Sequence, residues 1–171
     1  MYGQLREAFR DKDWRKAIVR SGWLAHYIAD AYQPLHTTKN HDGDESCNQG
    51  VHAAFETDMI DRRKALYRTQ TLPEPGLDPG VVEDPARFIL TEMIGNYDLV
   101  DDILVADTQA VRAVKKQRKD YYEEMERQVG PLARRQMSRA AAVFIAFCHA
   151  AWLQAGQPAP PSTSLKQRPP R

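Results

Sequence analysis

Four of the five histidines in this chain fall within the 31 residues from His26 to Glu56, and no other feature constrains the fold as much. The stretch reads HYIADAYQPLHTTKNHDGDESCNQGVHAAFE. His26 and Asp30 are four apart, and so are His52 and Glu56. Residues at i and i+4 lie one above the other on a helix, so each pair marks one helical face. Pro34 ends or kinks the first of these helices. Residues 37–50 are polar and rich in Asn, Asp and Gly, which reads as a loop. The spacing therefore predicts two helices that present imidazole and carboxylate groups, with His36 between them.

The rest of the chain is also helical in pattern. Residues 2–10 read as a short helix, and Asp13 is placed to cap the next one. From Trp14 the apolar residues recur at positions 14, 17, 18, 25, 28, 29 and 32. Trp23, Leu24 and Tyr27 make that helix apolar nearly all round, which predicts a central, buried position. The second ligand-bearing helix runs from 52 to about 68. Residues 69–85 carry four prolines and form a connection. Pro85 suits the first turn of a helix over 84–105. A charged helix follows over 108–128, and Gly130-Pro131 should break it. A last helix spans 131–155 and ends at Gly156. No alternating strand pattern or internal repeat is present. The expectation is all-α, a bundle of five or six helices with a metal site between them. One domain covers 1–156, and 157–171 is a disordered, Pro-rich tail.

Composition narrows the function classes. At 171 residues, one domain with a real core is the natural reading. A formal net charge of +1 gives no global electrostatic case for binding nucleic acid or an anionic membrane. No apolar run approaches the roughly 20 residues that span a bilayer. The first residues carry no signal-peptide pattern. Cys47 and Cys148 fit no zinc-binding spacing and read as two unlinked thiols.

His36, His52 and Glu56 together make a His₂Glu set. Three protein ligands with a fourth position left to water is the pattern of catalytic zinc. His26 and Asp30 would serve a neighbouring ion, and paired ions suit displacement at phosphorus. The pattern H-Y-x-x-D-x-x-Q-P-x-H followed by G-x-H-x-x-F-E resembles the zinc-dependent phospholipase C and single-strand-specific nuclease superfamily. It is carried by His26, Tyr27, Asp30, Gln33, Pro34, His36, Gly50, His52, Phe55 and Glu56.

The resemblance implies an all-α phosphodiesterase with up to three clustered Zn²⁺ ions and zinc-bound hydroxide as nucleophile. By resemblance His26 and Asp30 bind the first zinc, Asp30 bridges to the third, and His36, His52 and Glu56 bind the second. The family completes its first and third sites with upstream residues, and the 25 residues before His26 hold no histidine. One well-formed zinc site is therefore expected here. The resemblance implies that Met1 is not the natural start of the functional protein, or that the site has decayed. It also implies a secreted or periplasmic location. Glu rather than Asp at position 56 leans towards a phospholipid substrate over single-stranded nucleic acid.

Blander readings apply elsewhere. His41 lies outside the motif and is expected in solvent. His149, on an apolar helix, is expected to be a core histidine. Trp14, Trp23 and Trp152 are expected in the core, and the basic run 112–119 on a solvated face. Two other metal enzymes fit poorly. An HD-type phosphohydrolase would need His41-Asp42 on a helix, yet Gly43 follows at once. Ferritin-like di-iron chemistry needs Glu-x-x-His, and none is present. A non-catalytic, zinc-stabilised helical module is the reading from a different class.

Overall fold

The computed structural model of the chain describes residues 1–70, 83–117 and 120–161, without the side chains of 116 and 117. Among these the architecture is all-α, and no strand occurs. Helix α1 is Tyr2–Arg10 and α2 is Trp14–Ala31. A 3₁₀ turn, Pro34–Thr37, follows. Helix α3 is continuous in three parts: Val51–Ala53, a wider π turn over Ala54–Asp58, and Met59–Arg62. Then come α4 (Lys64–Gln70), α5 (Pro85–Tyr97), α6 (Val100–Gln117) and α7 (Tyr121–Gln154).

Local chemistry sets the ends of these elements. Asp13 caps α2 by accepting from the Lys16 amide at 2.9 Å. Asp84 caps α5 in the same way, with Pro85 behind it at the first helical position. Helix α2 stops at Ala31, and Pro34 opens the 3₁₀ turn with Gln33 as its cap. Gly156, at φ +85°, follows the end of α7. The Trp152 indole then donates to the Pro158 carbonyl at 3.1 Å, so the first residues past the helix lie against it.

The 34-residue helix α7 organises the packing. Its first half meets α3 and α6 in a core that contains Leu35, Val51, Phe55, Met59, Ile103 and Met125. Its second half meets α1 and α2 in a second core built on Leu5, Leu24, Ile28, Val143 and Phe147, with Phe88 of α5 against it. Residues 32–36 run between the two cores, because Tyr32 belongs to the second and Leu35 to the first. The motif thus lies at the seam of the molecule.

Several expectations are corrected. Gly130-Pro131 does not break the helix, and α7 runs through it. Glu126 lies over Gly130 so closely that a Cβ there would come within 2.2 Å of Oε1. Its carboxylate accepts from Tyr67 at 2.7 Å and pairs with Arg134. Packing on both sides of Pro131 outweighs the roughly 3 kcal/mol that an interior proline costs. The expected helix over 84–105 is instead two, separated at Asp98 and Leu99. Nor is 108–128 one helix. Helix α6 ends at Gln117, and Asp120 starts α7 by accepting from Tyr122 and Glu123 amides at 2.9 and 3.1 Å.

Helix α2 is not buried all round. Ala17, Leu24, Ile28 and Ala31 face the core, while Ile18 is 73% exposed, and Val19, Trp23 and Tyr27 are exposed as well. Trp14 and Trp152 are half-buried rather than core residues. The middle of the 69–85 connection, the end of the basic run and residues 162–171 of the expected tail lie outside the described residues. No described helix is long and apolar enough to cross a membrane.

Candidate metal centre

Each residue of the His₂Glu set follows directly on a buried apolar neighbour in the first core. Leu35 precedes His36, Val51 precedes His52, and Phe55 precedes Glu56, with exposures of 0%, 1% and 4%. The core therefore fixes the backbone on which each of these side chains stands. The loop before α3 is pinned too. Buried Asn48 donates to the Leu104 carbonyl at 3.1 Å and to Asp107 at 2.6 Å, both on α6. Asp42 receives the His52 amide at 3.3 Å at the open end of α3. Gly43 allows this loop to close, because a Cβ there would stand 2.3 Å from the Asn48 carbonyl oxygen.

The three side chains converge. His36 Nε2 and His52 Nε2 are 3.0 Å apart, and His52 Nε2 is 2.6 Å from Glu56 Oε2. The third edge, His36 Nε2 to Glu56 Oε2, is 3.5 Å. A tetrahedral ion bonded at about 2.0–2.2 Å holds its donors roughly 3.3–3.6 Å apart. One edge has that length already, and small side-chain rotations open the other two. The chemistry of the set also fits a cation. One proton on His52 Nε2 can serve Glu56 or His36 well, but not both. A cation satisfies two nitrogen lone pairs and a carboxylate together. The π turn that carries Glu56 is a rare feature and occurs often at functional sites.

Around this set the motif residues form a connected chain. The Gln33 amide donates to Glu56 Oε2 at 3.3 Å, and its oxygen accepts from the Leu35 amide at 3.4 Å. Asp30 stands between two histidines. Its Oδ1 is 3.6 Å from His36 Nδ1, and its Oδ2 is 3.4 Å from His26 Nε2. The structure thus places all five expected ligands in one neighbourhood, but only His36, His52 and Glu56 form a three-donor group among the described residues. His26 and Asp30 make a two-residue pair at its side. Asp30 faces the nitrogen of His36 that the three-donor group does not use, the usual place for a carboxylate that orients a metal-binding imidazole.

His41 is exposed, with Nδ1 3.3 Å from the Lys39 carbonyl. It lies in a turn with Asp42, not on a helix. His149 is not a core residue as expected, but is exposed and stacked on Trp152 at 5.8 Å. Cys47 and Cys148 are unpaired, and burial pushes the Cys148 thiol up to about 11. The sequence placed Gln33 in the motif and Asp42 in a His-Asp dipeptide, but not the hydrogen bonds they make to Glu56 and His52, and it gave Asn48 no role. Gln33 had a readable signal as a polar residue in the cap position before Pro34, whereas the Asn48 contacts span more than 50 positions and left none. No family model matches the chain, and no curated protein or solved structure matches it.

Proposed function

We propose that this chain is a zinc-dependent hydrolase of phosphodiesters, of the phospholipase C type. The observation that carries this reading is the convergence of His36 Nε2, His52 Nε2 and Glu56 Oε2 on one point. Such a set binds zinc through three protein donors and leaves a further position for solvent or substrate. Zinc, when bound, supplies a Lewis acid for a phosphoryl oxygen and lowers the pKa of a coordinated water towards 7. The chain's own residues do the rest. His36, His52 and Glu56 hold the ion, the Gln33 amide steadies the Glu56 carboxylate, and Asp30 sets the orientation of the His36 ring. Glu56 is 46% exposed, so the centre opens to substrate. His26 and Asp30 offer two donors to a neighbouring ion and hold it weakly. Export from the cytoplasm belongs to the same reading.

A second reading, a zinc-binding helical module without full catalytic power, is favoured by the two-donor character of the His26–Asp30 pair. The nuclease alternative shares the metal chemistry and differs in substrate. Zinc-loaded protein should hydrolyse phosphatidylcholine faster than single-stranded DNA, and chelation should abolish the activity. A faster rate on DNA favours the nuclease. No turnover of either, with zinc bound, favours the module.

A further inference from the structure

Helix α2 turns an apolar face to solvent. Ile18, Val19, Trp23 and Tyr27 are 73%, 52%, 50% and 53% exposed. Val19, Trp23 and Tyr27 follow one another at i,i+4, so they form a stripe rather than scattered single residues. Gly22 is exposed in the middle of this face, and no atom stands within 4 Å of where its Cβ would be. A mid-helix glycine weakens a helix, and among the described residues nothing uses the room it leaves. The two ends of the helix carry opposite charge. Arg15 and Lys16 are exposed in its first turn, and Asp30, with its side chain 42% exposed, stands in its last. That order is the reverse of what the helix dipole favours. Neither Arg15 nor Lys16 has an acidic partner for its side chain among the described residues.

We infer that a second copy of this chain covers this face, with the two α2 helices antiparallel about a two-fold axis near Gly22 and Trp23. A two-fold contact is self-complementary, so whatever one copy offers the other returns. With this centre, Arg15 and Lys16 of each copy lie against Asp30 of the other. Val19 meets His26 and Tyr27 of the second copy, and each Trp23 indole fills the room in front of the opposite Gly22. The dipole mismatch is answered at both ends, because each first turn then lies beside the other helix's last turn. A parallel pair would set Arg15 on Arg15 and Asp30 on Asp30, and like charges oppose it. A membrane surface fits less well, because a helix lying in a bilayer interface keeps its charges off the inserted face, and here Asp30 follows the stripe. A single face of this 18-residue helix covers less than the about 800 Å² per partner of a standard interface, so the dimer is weak and reversible. The inference needs only α2 and stands apart from the zinc reading.

Sedimentation equilibrium of the full chain tests this, with EDTA present so that no ion bridges exposed histidines. The weight-average mass should climb from the 19.5 kDa of one chain towards twice that value as concentration rises towards millimolar. Trp23→Ser should weaken association about thirtyfold. Arg15→Glu combined with Lys16→Glu should weaken it about tenfold. Circular dichroism should show unchanged helix content in these variants. Orientation is read separately. Chains carrying Val19→Cys and Tyr27→Cys, each in a Cys47→Ser background, are mixed and treated with a short bismaleimide. Mixed pairs should form in excess over like pairs. Like pairs in excess mean a parallel contact and overturn the inference. A mass that stays at one chain throughout overturns it, as does a dimer that survives all three substitutions. A monomer that instead binds phosphatidylglycerol vesicles, and loses that binding with Trp23→Ser, assigns the face to a membrane and overturns it too.

Discussion

His52–Glu56 and His26–Asp30 have the same spacing and the same chemistry, yet they stand on different foundations. The first pair sits on α3, where Val51, Phe55 and Met59 are buried in one core. A third donor, His36, arrives from the 3₁₀ turn behind buried Leu35. The second pair sits on α2, where His26 stands between exposed Trp23 and Tyr27 and its side chain is itself 61% exposed. No third donor closes on it among the described residues. Helical spacing makes a pair, but a metal site also needs a third group delivered from another element and a core that holds all three in place.

The largest expected effect is on the foundation. Phe55→Ala removes a buried ring beside Glu56 and should cost about 3–5 kcal/mol of unfolding free energy, read by urea titration. A loss below about 1 kcal/mol would show that the core does not brace the site. Next is ligation itself. Glu56→Ala should weaken zinc by more than the about 10–100-fold typical of outer partners, whereas His26→Ala and His41→Ala should stay under about tenfold. A chelator competition measures all three, and equal losses would contradict the assignment. Asp30→Asn should lower zinc affinity about tenfold through His36. No change would mean that the carboxylate merely lies nearby. Smallest is Trp23→Ser on the exposed face of α2, which should move stability by no more than about 0.5 kcal/mol and leave zinc affinity unaltered.

The two regions also differ in how much of them could be read in advance. Helix α1, the Asp13 cap, the break before Pro34 and the start at Pro85 were legible because each rests on local backbone chemistry. The three converging side chains were legible because i,i+4 pairs and a proline turn are local features too. Burial was not. The apolar residues of α2 are enough to cover a helix all round, but α1, α5 and α7 reach only part of it. Trp23 stands in solvent for that reason, not for any property of its own. Continuity through Gly130-Pro131 was hidden as well. The missing side chain of Gly130 makes room for the Glu126 carboxylate, which Tyr67 and Arg134 hold there. Residues more than 50 positions away do not announce such a need. The start of α7 was different, because Asp120 with Glu123 is a readable cap signal that the charged run obscured.

The proposed tight site in this chain is made by three side chains, not five. Metal analysis after exhaustive dialysis of zinc-loaded protein, with native mass spectrometry to count ions per chain, tests it most directly. One zinc should remain in the wild-type chain and in His26→Ala, and none in His52→Ala. Two or three zincs retained by the wild-type chain, or zinc lost from His26→Ala and kept by His52→Ala, would contradict it.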